Sequence, residues 1–164
     1  MTVNIHASCI LLSRAGEAFD APADAGILLL GESGAGKSDL ALRLIALGAE
    51  LVADDRVELS AGADGLMARA PKTIMGLIEI RNVGILTLPY ATEARIALAV
   101  LLGTAENLPR LPEHERYDPG AGFAAILHPP LIRLNAFEAS APAKIAAAAA
   151  GFAHALFREN LKLI

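Results

Sequence analysis

Residues 31–38, Gly31-Glu32-Ser33-Gly34-Ala35-Gly36-Lys37-Ser38, fit G-x-x-x-x-G-K-[S/T] at every fixed position. A turn of this kind aims successive backbone N–H groups at one anion, and a helix starting behind it adds partial positive charge. Lys37 then reaches the β- and γ-phosphates of a nucleotide, and the Ser38 hydroxyl ligates Mg²⁺. A second constellation is Asp54-Asp55, two adjacent carboxylates after a short apolar run. At the carboxyl end of a strand they would feel the metal and the phosphates. Strand period points them to opposite faces, so one serves the metal and the other the acceptor. N-K-x-D and D-x-x-G are absent, which speaks against a regulatory GTPase, and H-R-D and D-F-G are absent too. These absences favour ATP as the nucleotide.

The flanking residues supply the elements that such a loop needs. Residues 27–30 (ILLL) form an all-apolar run, the pattern of a strand buried on both faces of a parallel sheet. Over 37–47, Leu40, Leu44 and Leu47 recur at helical spacing, and Gly48 stands where a C-terminal cap belongs. Strands are predicted at 9–12, 50–53, 78–80, 85–88, 124–127 and 131–134, with a hairpin joining 57–59 to 66–70. Residues 96–102 read as a strand or a short buried helix. The spacing predicts loops over 13–26 and over the polar, Pro- and Gly-rich 104–122, and an Ala-rich helix over 140–160.

Composition narrows the class. The 164 residues suit one domain, and 54% apolar with 20% charged residues gives a core large enough to exclude disorder. A net charge of −4 argues against nucleic acid or an anionic membrane as the main partner. Cys9 is the one cysteine, so no intrachain disulfide forms. The first residues lack the pattern of a signal peptide, and no apolar stretch is long enough to span a bilayer, so a cytoplasmic protein is expected.

Four separated segments resemble one family, the bacterial HPr kinase/phosphorylase: His6-Ala7-Ser8, GESGAGKS at 31–38, LVADDRVEL at 51–59 and GLIEIRNVGIL at 76–86. The likeness runs from residue 1 to about residue 90 and is to the short, catalytic-domain-only members. It implies an α/β fold: a P-loop nucleotide-binding domain of the HPr kinase type, with a mixed sheet and flanking helices, filling residues 1–164 as one kinase catalytic domain. It further implies ATP-dependent phosphorylation of a serine of an HPr-like phosphocarrier of the phosphotransferase system, with Mg²⁺, in a homo-oligomer of six subunits. By the same resemblance Asp55 is the general base, returning its proton in any reverse phosphorolysis. Ser38 and Glu79 hold the metal, assisted by Asp54 through water or hydrogen bonds. Arg81 supports the transferring phosphoryl group, His6 tunes the Asp pair or contacts phosphate, and Arg110 is the loop arginine, with Arg116 its neighbouring alternative. Asn82 replaces the family's usual glycine after the E-I-R triplet, and still tolerates a left-handed backbone. The family's basic, glycine-containing segment near the C-terminus has no match, and Leu134-Asn135-Ala136-Phe137-Glu138-Ala139-Ser140 stands in its place, so phosphorylase activity is not expected to follow. A P-loop kinase of a small hydroxylated metabolite and a non-enzymatic ATP-binding sensor remain open on the residues alone.

Overall fold

The computed structural model describes residues 1–104, 106 and 108–158. The fold is α/β: a mixed sheet with helices packed on it. Strand β1 (Thr2–His6) is followed by β2 (Ser8–Leu11), β3 (Gly26–Leu30), helix α1 (Lys37–Ala46) and β4 (Glu50–Ala53). The hairpin β5 (Arg56–Gly62) and β6 (Gly65–Arg69) comes next, then β7 (Leu77–Ile80) and β8 (Gly84–Thr87) as a separate two-stranded ribbon. Strands β9 (Ala94–Leu102), β10 (Glu115–Arg116) and β11 (Pro130–Leu134) precede helix α2 (Ala141–Ala153).

The main sheet runs β1-β5-β6-β9-β3-β2-β4, with β11 also on β9 and β10 on β11. Strand β3 lies between antiparallel β2 and parallel β9, and its apolar run is buried throughout except at Leu30. Its alternation divides the core. Ile27 and Leu29 face α1 and α2, packing with Leu40, Leu44, Ile145 and Ala149. Leu28 faces the other way, with Val52, Val57, Leu59 and Phe123. Each such side chain contributes about 1.5–3 kcal/mol by leaving water. No helix among the described residues is long and apolar enough to cross a membrane.

Several expectations need correction. Residues 13–26 are not all loop, because Ser13–Phe19 form a 3₁₀ helix. Residues 124–127 do not form a strand. They leave a 3₁₀ turn (Ala121–Phe123) whose Phe123 fills the core, and Leu127 is turned out. The 96–102 ambiguity resolves to strand, since β3 and β11 hydrogen-bond to it from both sides. Helix α2 stops at Ala153, short of the predicted end: Ala155 takes a left-handed φ of 51° and the Leu156 N–H donates to the Gly151 carbonyl, a Schellman-type stop. The predicted end at residues 159 and 160 lies outside the described residues. Strand β1 went unpredicted. Its Val3 and Ile5 alternate inward, but what makes it a strand is pairing with β5, Thr2 opposite Ser60 through His6 opposite Arg56.

Gly26 opens β3 where the chain crosses β9 closely. A Cβ there would lie 2.5 Å from the Arg95 carbonyl oxygen and 3.0 Å from the Ala94 Cβ. Gly26→Ala is therefore expected to cost about 1–3 kcal/mol and to lower the melting temperature by several degrees in a circular-dichroism melt. An unchanged melt would mean that β9 gives way freely.

Candidate functional site

The loop 31–38 joins the end of β3 to the start of α1, and its backbone requires glycine. Gly31, Gly34 and Gly36 have φ of 148°, 83° and 94°. At Gly36 a Cβ would also press on the Ala136 Cβ at 2.9 Å and on the Phe137 ring at 3.1 Å. Lys37, the first residue of α1, is almost wholly buried, and its Nζ donates to the carbonyls of Gly31 and Glu32, both at 2.8 Å. The lysine thus arches over the loop and holds its curvature. Burial pulls the ammonium below its ordinary pKa, while the carboxylates of Asp54 and Asp55 pull it back up.

The two aspartates that follow β4 are separated as expected, though by a different cause. Asp54 turns inward, 4% exposed. Its Oδ1 accepts from the Ser8 hydroxyl at 2.6 Å and the Ser38 hydroxyl at 2.8 Å, and its Oδ2 from the Glu79 backbone N–H at 3.3 Å. Asp55 has a left-handed φ of 67°, and that backbone rather than strand alternation swings its carboxylate outward. Its side chain is 71% exposed, with His6 Nε2 at 3.3 Å and Arg56 Nε at 4.0 Å.

Glu79 belongs to β7 and Arg81 opens the turn after it, and both side chains line the same space. The turn that follows places Asn82 at φ 66°, the left-handed conformation that asparagine tolerates. These elements enclose a cleft of about 460 Å³ whose walls include His6, Lys37, Ser38, Asp55, Glu79 and Arg81. Asn82, Leu42 and Phe137 complete parts of that wall. Arg110 is exposed and lines neither this cleft nor its neighbour, and Arg116 donates to the His128 carbonyl at 2.6 Å instead.

Two contributors escaped the sequence reading. Ser8, the first residue of β2, is fully buried and holds Asp54, yet a serine at the start of a strand carries no signal of its own. Phe137 stands at the rim, 67% exposed, in a segment where the family pattern is lost. Its placement comes from Arg43, whose guanidinium donates to the carbonyls of Ala136 and Glu138 across the loop.

Comparison with known proteins points to one family. Residues 21–100 match the family model described as HPr Serine kinase C-terminal domain. The chain is 56% identical over 62 residues to HPr kinase/phosphorylase of Caldanaerobacter subterraneus subsp. tengcongensis, an alignment taking in 37% of this chain and 20% of that protein. Against the HPr kinase/phosphorylase of Caldicellulosiruptor bescii it is 41% identical over 103 residues, 56% of this chain and 33% of that one. The matched region thus spans 20% to 33% of these relatives. In three dimensions the chain resembles the solved Hpr(Ser) kinase/phosphatase from Coxiella burnetii, with a TM-score of 0.70, 23% identity, and coverage of 94% of this chain and 97% of that one. At that identity the likeness is one of fold.

Proposed function

We propose, for a chain that belongs over residues 21–100 to the HPr serine kinase C-terminal domain family, that it transfers the γ-phosphoryl group of ATP to a serine of an HPr-like phosphocarrier of the phosphotransferase system. The observation that carries this reading is the cleft itself: an outward-facing carboxylate, Asp55, opens into the same space as the glycine loop, Lys37 and Ser38. Transfer to a hydroxyl needs a group to take its proton and fixed positive charge around the phosphates, and little other covalent chemistry from the protein.

In this reading the backbone amides of 31–38 and the start of α1 hold the phosphates, and Lys37 stabilises charge on the β- and γ-oxygens. Asp55, oriented by His6, accepts the proton of the acceptor serine. Arg81 faces the transferred group with its planar fork of donors. Ser38, Glu79 and Asp54 offer only oxygen, the donor a hard cation takes. Asp54 already accepts from the Ser38 hydroxyl, so its part is to orient Ser38 or a bound water. No group of three or more His, Cys, Asp or Glu side chains is gathered for a metal among the described residues, so phosphate oxygens and water would complete the shell. Mg²⁺, when bound, supplies neutralisation of phosphate charge. Arg110 would join only through movement of its own segment toward the cleft.

The cytoplasm, a homo-oligomer of six and a kinase domain spanning residues 1–164 belong to the same proposal. Forward transfer is its direction, because residues 134–140 bring no arginine or lysine to the cleft for phosphorolysis. The test is incubation of the purified protein with γ-labelled ATP, Mg²⁺ and a purified HPr-like carrier. Acid-stable label on a carrier serine is expected. Label on a small metabolite from added cell extract, or tight ATP binding with no transfer to any carrier, would replace this reading with a metabolite kinase or a nucleotide sensor.

A further inference from the structure

The loop after β11 holds an aromatic ring in water, and holds it rigidly. The Phe137 N–H donates to Asn135 Oδ1 at 3.0 Å, and Arg43 of α1 grips the carbonyls on either side of Phe137. Lys144 of α2 pairs with Glu138. A scattered exposed apolar side chain needs no explanation, but a phenyl ring 67% exposed on so fastened a backbone is not placed there by packing. It rests on Gly36, where a Cβ would come within 3.1 Å of it. It also stands between two clefts: the one holding Lys37 and Ser38, and a second of about 820 Å³ walled by Leu101, Leu102 and Leu108 on one side and the glycine loop on the other. Both volumes lie in the range of small-ligand sites.

Topology says what lies past the ring. Strands β3, β9 and β11 are parallel and end on one edge of the sheet, the edge where open α/β sheets take ligands. Asp55, His6 and Glu79 line the first cleft, whereas Gly103, Thr104 and Leu108 after β9 and Asn135 after β11 line the second. A nucleotide whose terminal phosphate points at Asp55 must send its nucleoside the other way, across Phe137. Resting on the nucleotide reading above, we infer that Phe137 is the platform on which the nucleobase stacks, with the second cleft receiving the nucleoside half. Phe137 is then a binding and positioning residue: stacking sets the angle at which the triphosphate enters the loop. Because every base has a π-face, this contact holds purines without reading their edges.

The chain contains no tryptophan, so Phe137→Trp introduces a single indole reporter at the platform. Saturable quenching by ADP is expected, with tripolyphosphate displacing ADP and causing no quenching of its own. Phe137→Ala should bind ADP about 5- to 100-fold more weakly by calorimetry, with tripolyphosphate affinity unchanged and Phe137→Tyr restoring ADP binding. Equal responses of the reporter to ADP and tripolyphosphate, or unchanged ADP affinity in Phe137→Ala, would overturn the platform while leaving the phosphate site standing. Failure of the wild-type chain to bind either ligand would overturn both.

Discussion

Asp55→Asn is expected to slow phosphoryl transfer by about 10²–10⁴-fold, the usual contribution of a positioned general base, with ATP affinity within about threefold of the wild type. The substitution is chosen for its backbone as much as its side chain. Asp55 sits at φ 67°, which Asn adopts readily and Ala does not, so Asp55→Ala would mix a lost base with local strain. The fold should not notice the change. The carboxylate is 71% exposed, and its contacts with His6 at 3.3 Å and Arg56 at 4.0 Å are surface pairs worth about 0–1 kcal/mol. Single-turnover transfer measured beside ATP titration separates the two effects. A wild-type rate in Asp55→Asn would remove Asp55 from the chemistry, whereas loss of ATP binding would make it a ligand of the nucleotide instead.

Lys37→Met is expected to lower transfer by at least about 10²–10³-fold and to weaken ATP binding as well, because the lysine provides charge that is fixed before the reaction begins. Its effect on stability is small by comparison, and the balance of forces on Lys37 says why. The ammonium donates to two loop carbonyls at 2.8 Å, which favours the folded state. Burial nevertheless pulls its pKa below 10.5 against the attraction of Asp54 and Asp55, so holding the charge there costs free energy. The opposed terms should leave the melting temperature at neutral pH within about 2–4 °C, the shift of ~1 kcal/mol in a chain of this size. The folded chain releases this proton at lower pH than the unfolded chain does. Wild-type stability therefore gains a contribution as pH rises from the folded pKa toward 10.5, and Lys37→Met lacks that gain. A variant that keeps ATP affinity and rate would show that the loop holds phosphate without its lysine. A collapse of the fold would show that the lysine is structural first.

The contrast between the two aspartates shows how far a local reading reaches. Their identity, their place at the end of β4 and their divergence followed from the short apolar run 50–53, whose predicted bounds match β4. Which one is buried did not follow. Asp54 is drawn inward by Ser8, 46 positions away along the chain, and by Ser38, 16 positions away. Neither serine announces that role in its neighbourhood. Strand β1 teaches the same lesson, since its residues become a strand only where β5 lies beside them. The strand expected at 124–127 fails for the converse reason: none of its residues pairs with a neighbouring strand, and Phe123 takes the core position. Arg110, assigned to the site by resemblance alone, is exposed and lines neither cleft.

By itself, then, the sequence determined the glycine loop with its strand and helix, the carboxylate pair and the α/β class, and resemblance to a family singled out the E-I-R segment. The loop, its flanking elements and the carboxylate pair are each legible because their signal lies in neighbouring residues. Only the tertiary structure decided that Asp54 is buried and Asp55 exposed, that His6 reaches Asp55, and that Phe137 stands over Gly36. Those outcomes depend on residues brought together from as far apart along the chain as Gly36 and Phe137, by a sheet whose strand order no local pattern records.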